Sequence, residues 1–339
     1  MTPAVALVGT SGYGRQHLYQ LLAWHRDGLL RLAALVDLRF DDETRAVVAA
    51  AGAEPQWLHD LDLAGIDLVV VATPPHTHFA LADQVLRGGC ALYLEKPPVP
   101  LLSQLNELRA ITPRRRAEVG FQYARSTIEA VEAALPTVGE VTRITAHGCL
   151  YRPDSYYTRS PWAGTWFHDG VAVFDGALFN PLAHVVHTAL MLAQRIDNTW
   201  WPSQVEAELY AVHDITGDDT GVLRIRSAKG PVVVAVGTTA ADVVQDPAIT
   251  VHGTSGQVTV RHGDHGGPHP LLAALKDLDG TPDPLLDLDA MEPFVTVVNQ
   301  AVELVGAPTR IAAPERLSGL IDRVVRTGSL FAELEARDD

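Results

Sequence analysis

Near its start the chain reads Val5-Ala-Leu-Val-Gly9-Thr-Ser11-Gly12-Tyr13-Gly14, a run of small residues spaced to hold a phosphate. Gly9 and Gly14 keep the outer positions of a G-x-G-x-x-G loop, and Ser11 takes the middle one. In such a loop backbone N–H groups approach a pyrophosphate at the positive end of the helix that follows. The Cβ of Ser11 restricts that approach, and Gly12 beside it restores some freedom. Asp37 lies 23 positions past Gly14, where a carboxylate can accept hydrogen bonds from the adenine ribose hydroxyls. A plain loop or capping acid would read the same. An acid there repels a 2′-phosphate and favours NAD; Arg39, two residues on, could take that phosphate, so NADP stays open.

A second candidate is a lysine. Of 26 basic residues only Lys96, Lys229 and Lys276 are lysines. The chain uses arginine wherever a generic positive charge serves, so a lysine at a defined place points to chemistry that arginine cannot perform. Lys96 closes the run Ala91-Leu-Tyr-Leu-Glu95 and precedes Pro97-Pro98. His76 and His78 lie in Thr73-Pro74-Pro75-His76-Thr77-His78 without a third ligand at useful spacing, so no metal site is expected.

Composition narrows the class. With 41 acidic residues against 26 basic ones the formal charge is −15, which disfavours nucleic acid and anionic membranes as partners. Apolar residues make up 47% and charged ones 20% of 339 residues, enough core for about two domains. No apolar run approaches the roughly 20 residues of a membrane span. The start lacks a charged segment with an apolar one behind it, and Cys90 and Cys149 are too few for a disulfide framework. A cytoplasmic protein is the expectation.

The elements that would position these residues alternate strand and helix in the first third. Strands are expected at 5–8, 31–37, 66–72, 91–95 and 118–125, with helices at 41–52, 101–111 and 127–135 and after His78. Gln122, Tyr123 and Arg125 would leave the end of the last strand. Further on, β-branched runs at 141–150, 205–212, 221–226, 232–238 and 249–261 read as an antiparallel meander. Helical spacing returns from Leu288, residues 317–334 read as one amphipathic terminal helix, and Gly263–Pro270 reads as a solvated loop.

The ordered set Gly9–Gly14, Asp37, Ala72-Thr-Pro-Pro-His-Thr-His78, Glu95-Lys96-Pro97 and Gly120-Phe-Gln122 resembles the Gfo/Idh/MocA oxidoreductases. The Glu-Lys-Pro triplet is its most specific part. The resemblance implies an α/β protein: an N-terminal Rossmann domain (1–122) and a C-terminal α+β domain (123–339) built on a large, mostly antiparallel sheet. It implies NAD(P)-linked oxidation of a small molecule, with Lys96 beside the nicotinamide and the substrate. Gly9, Ser11, Gly12, Tyr13, Gly14, Asp37, Arg39, Thr73, Pro74, His78, Glu95, Lys96 and Gln122 become the candidate cofactor residues. It also implies a homodimer or homotetramer paired through the C-terminal sheet, although helices covering that face would leave the same pattern.

Asp175-Gly-Ala-Leu-Phe-Asn180-Pro181-Leu-Ala-His184 resembles the family's G-G-x-x-x-D-x-G-x-H segment, with Asn180 at the usual aspartate position and Leu182 at a glycine. Asn180 followed by Pro181 also fits a helix N-cap and N1 pair. The first turn of a helix disfavours protonated histidine, so a neutral His184 is expected to hydrogen-bond the substrate oxygen, with Lys96 as the main proton-transfer group. His187 reads as packing. Tyr123, Trp162, Trp166, His168 and Asp175 are candidate substrate contacts, because aromatic faces with polar tips suit sugars. The expected substrate is a sugar, nucleotide-sugar or cyclic polyol. Three alternatives share the fold: a nicotinamide-binding sensor, a hydrolase or lyase with transient redox, and an imine reductase.

Overall fold

The computed structural model describes residues 2–111, 115–263, 265–266 and 269–338. They divide into two units. The first comprises Met1–Val99, Ser103–Gly120 and Pro268–Asp289; the second comprises Pro100–Leu102, Phe121–Gly267 and Ala290–Asp339. The return of the chain to the first unit at 268–289 has no counterpart in the sequence pattern.

In the first unit β1 (Ala4–Val8), β2 (Arg31–Val36), β3 (Gln56–Leu58), β4 (Leu68–Val71), β5 (Ala91–Leu94) and β6 (Ala117–Val119) form a sheet in the order β3-β2-β1-β4-β5-β6. Every pairing is parallel. Helices α1 (Gly14–Arg26), α2 (Asp42–Ala50), α3 (Pro75–Arg87) and α4 (Leu102–Ala110) connect its strands, and the returning segment adds α8 (Pro270–Lys276). β1, β4 and β5 are buried throughout, the mark of strands covered on both faces. The strand order reverses between β1 and β4, so the carboxyl ends of these strands open the crevice where such sheets take ligands. β3 escapes a sequence reading because it is a three-residue edge strand of mixed polarity. The strand expected at 118–125 is shorter, since α5 (Ala124–Ala134) already claims Arg125 with its alanine-rich amphipathic pattern.

The second unit is built on a seven-stranded sheet in the order β14-β13-β7-β12-β11-β10-β15. Its members are β7 (Val141–Tyr151), β10 (Gln204–Ala211), β11 (Thr220–Arg226), β12 (Val232–Thr238), β13 (Ala240–Gly253), β14 (Gly256–Arg261) and β15 (Thr309–Arg310). Four pairings are antiparallel, but β7 runs parallel to β12 and β10 to β15. The expected meander is therefore corrected: the first strand lies in the middle of the sheet. Parallel neighbours need a crossover, and the chain between β7 and β12 supplies it with α6 (Asp154–Tyr157), α7 (Ala183–Ile196) and a small hairpin of β8 (Phe167–His168) and β9 (Val171–Ala172).

Helix α7 packs on β7 and β12, and α9 (Glu292–Val305) on β10. The apolar tail is two helices, α10 (Leu317–Thr327) and α11 (Phe331–Asp338), because Gly328 leaves α10 at a left-handed φ of 72°. Ile321, Val324, Phe331 and Leu334 close a core over Cys149, Val222, Val234 and Val236. These helices cover the apolar sheet face that the resemblance would offer to a second subunit. Of the loop expected at 263–270, positions 264, 267 and 268 lie outside the described residues, and His269 is no solvated residue: it caps α8 and packs edgewise on Trp24.

Candidate active site

The glycine loop joins β1 to α1 at the switch in strand order. A Cβ on Gly9 would lie 2.6 Å from the Ala72 carbonyl oxygen, and one on Gly14 would lie 2.2 Å from that of Gly9. Both glycines are thus required by the closeness of backbone to backbone. Helix α1 begins with no side-chain cap and no acid in its first turn, so its positive end is available to an anion. Ser11, Gly12 and Tyr13 are exposed above it. The Cβ of Ser11 therefore meets solvent and leaves the loop its shape.

Asp37 follows the last residue of β2 and is tied to this loop: its Oδ2 accepts from Thr10 N–H at 2.7 Å and from Thr10 Oγ1 at 2.8 Å. Among the described residues its other oxygen meets the Arg39 N–H alone, at 3.4 Å, which leaves acceptor capacity for a ribose diol. The Arg39 side chain is exposed. Arg15 on α1 is engaged by Asp41 and Glu43 and so is not reserved for phosphate. Loop, helix terminus and carboxylate together fit a dinucleotide with an unphosphorylated ribose.

Thr73 and Pro74 lie just past the end of β4 and lead into α3, whose N-cap is Pro74. His78 and Glu95, expected against the cofactor, are internal instead. His78 is 0% exposed; its Nδ1 lies 2.9 Å and 2.7 Å from the Pro97 and Pro98 oxygens, and its Nε2 lies 2.8 Å from the Thr73 oxygen. It clamps the loops after β4 and β5 together, and burial pushes its pKa down against the pull of those carbonyls. Glu95, 4% exposed, places Oε1 2.7 Å from His17 Nε2 and accepts the Lys96 N–H on Oε2 at 3.1 Å. Its carboxylate directs the backbone of Lys96 rather than a ligand. Lys96 itself is half-buried just past the carboxyl end of β5. His17, on the buried face of α1, is a contributor that sequence reasoning missed; its only signal is its place one turn past Gly14.

In the second unit the expected substrate contacts separate. Trp166 is core: it is 3% exposed, and its Nε1–H donates to Asp218 Oδ1 at 2.9 Å. Burial holds the Asp218 carboxyl up at about 7. Asp175 is also turned inward, its Oδ2 accepting from Gly164 N–H and its Oδ1 from the Asn180 amide, both at 2.7 Å. Asn180 does not cap α7; Leu182 holds that position, and the Asn180 amide nitrogen donates to Asp175. Trp162 and His168 are half-buried, beside Arg159 and Asp169 respectively. Gln122 is half-buried in the turn after β6.

His184 does fall in the first turn of α7. Its ring lies 5.6 Å from that of Tyr123, 5.5 Å from Phe121 and 5.9 Å from His262. His187 is stacked on Phe121 at 4.2 Å, which is packing as expected. His262 directly follows β14, and no spacing in the sequence marks it. Chemically, the first unit offers a place for an anionic dinucleotide and a lysine at the strand edge; the second offers imidazole and phenol groups in aromatic surroundings. Among the described residues no group of three or more His, Cys, Asp or Glu side chains could hold a metal.

Comparison with known proteins is consistent with this geometry. A family of oxidoreductases with an NAD-binding Rossmann fold matches residues 4–123, and the GFO/IDH/MocA C-terminal domain matches residues 129–259. Inositol 2-dehydrogenase from Rhizobium meliloti (strain 1021) is 25% identical over 90% of this chain and 91% of its own length. The fold is shared with GenD2 from gentamicin A biosynthesis, solved with NAD (TM-score 0.71, 22% identity, 90% and 94% of the two chains). It is shared equally with the WlbA dehydrogenase from Bordetella pertussis, solved with NADH and UDP-GlcNAcA (TM-score 0.70, 22% identity, 90% and 98%).

Proposed function

The chain belongs to the Gfo/Idh/MocA family of NAD(P)-dependent oxidoreductases, and we propose that its substrate is a hydroxyl or keto carbon of a sugar, nucleotide-sugar or cyclic polyol. The observation that carries this reading is the fixing of Lys96. Buried Glu95 holds its N–H, and fully buried His78 clamps Pro97 and Pro98 behind it. A lysine so placed at the edge of a dinucleotide sheet is positioned for chemistry rather than for solubility.

A bound nicotinamide supplies the hydride acceptor or donor. What remains for the protein is a proton at the carbinol oxygen. In the oxidative direction the neutral Lys96 Nζ takes that proton; in the reductive direction the ammonium returns it. A free lysine, with a pKa near about 10.4, is a poor base, and the positive charge of an oxidised nicotinamide favours its neutral form. His184 hydrogen-bonds the substrate oxygen. Asn180 adds no charge of its own, and its amide donates to the carboxylate of Asp175. The relatives named above carry the substrate class: one is an inositol dehydrogenase, and another was solved with a nucleotide-sugar. Asp37 favours NAD over NADP.

Two free, buried cysteines support a cytoplasmic setting. A homo-oligomer would have to pair through surface other than that under α10 and α11, which light scattering tests. The functional test is a fluorescence titration with NADH and with NADPH, followed by oxidation assays on sugars and cyclic polyols. Tight NADH binding with turnover of a polyol is expected. NADH binding without any turnover would identify a sensor, and binding of neither nucleotide would overturn the reading.

A further inference from the structure

His262 carries an observation that the proposed function leaves unused. Both of its ring nitrogens are shielded from solvent, and neither has a hydrogen-bond partner among the described residues. Leaving such donors and acceptors unmet is costly, so native interiors rarely do it without a reason. The ring is not adrift. The backbone N–H of His262 donates to Pro247 O at 2.8 Å on β13, and Ser126 Oγ donates to Gly263 O at 3.2 Å, which ties the next residue to α5. Three elements thus bring polar rings together: α5 through its N-cap Tyr123, α7 through His184 in its first turn, and the end of β14 through His262. The His262 ring stands edge-on to Tyr123 at 5.9 Å and lies 5.9 Å from His184.

We propose that His262 is a substrate-binding residue, holding a hydroxyl group next to the carbon whose oxygen His184 engages, so that the enzyme selects vicinal diols. This rests on the reading of His184 given above. Burial, and after it the neighbouring His265 and His187, press the His262 pKa down to about 3, so the ring is neutral under ordinary conditions. A neutral imidazole presents one donor and one acceptor, the complement of an alcohol. A carboxylate would want two donors, and an ammonium would want an acid, of which none stands against His262 among the described residues.

The test uses the full-length protein with NAD and pairs the best polyol or sugar from the oxidation assays with its analogue deoxygenated next to the reacting carbon. Wild type should prefer the hydroxylated substrate by about tenfold or more in kcat/KM, the scale of one buried hydrogen bond. His262→Phe keeps a flat ring and should bring that preference below about threefold with NADH affinity unchanged, whereas His262→Asn, retaining a donor and an acceptor, should restore part of it. An equal preference in wild type and H262F, both folded and binding NADH, overturns the inference and leaves the proposed function intact. If wild type binds NADH yet oxidises no sugar or polyol, the parent reading falls and this one with it.

Discussion

The loops around Lys96 and the rings around His184 solve different problems. At the strand edge polar side chains are tied inward: Asp37 to Thr10, Glu95 to His17, His78 to three carbonyls. The mouth of α7 is aromatic, and the ring nitrogens of His262 there have no hydrogen-bond partner among the described residues. A site for an invariant dinucleotide can be made rigid by its own backbone and buried side chains. A site for one particular substrate keeps hydrogen-bonding capacity for that substrate alone, which is where specificity is gained.

Breaking the first region at its reactive end should have the largest effect. Lys96→Arg keeps the charge but removes a group able to exchange its proton, and kcat should fall about a hundredfold to ten-thousandfold with NADH affinity intact. Stopped-flow or steady-state assays check this; retention of more than about a tenth of kcat would remove Lys96 from the proton transfer. Gly14→Ala should come next, since its Cβ meets the Gly9 carbonyl at 2.2 Å. Losing backbone contacts to phosphate would weaken NADH about tenfold to a hundredfold in a fluorescence titration.

His184→Asn probes the second region. The expected loss is about tenfold in kcat/KM with NADH affinity unchanged, and a parallel fall in NADH binding would mean that the two regions are not functionally separate. His17→Phe should act on stability, costing about 1–3 kcal/mol in urea unfolding because Glu95, 4% exposed, loses its partner.

The smallest effect is one of pH. His147 and His252 are held neutral at about 4 and His262 at about 3 by burial, all in the second unit. The unfolded chain binds their protons near its ordinary pKa of about 6.5, so their contribution is present above that pH and is lost as pH falls toward about 4. Asp218 works the other way, its raised pKa of about 7 costing stability as pH rises from about 4. In the first unit buried His78, its pKa also pushed down, acts in the same direction but alone against these three, and Asp41, held at about 2, matters only in stronger acid. Hydrogen exchange at pH 5 and pH 7 should therefore show the second unit loosening first; equal loosening of both would refute the assignment.

Much of this was written locally. The buried runs of β1, β4 and β5, the glycines at 9 and 14, the acid ending β2 and the lysine ending β5 were legible because strand period, backbone crowding and strand-edge chemistry act over a few neighbouring residues. So were β12 and the place of His184 in a first helical turn. What the sequence left open depends on partners far along the chain. That β7 lies in the middle of its sheet, that Trp166 turns inward to Asp218, and that 268–289 rejoins the first unit all follow from contacts over long separations. Periodicity tells which face of an element is apolar. Only packing decides what that face meets, and therefore whether a polar side chain is consumed by the fold or kept for a ligand.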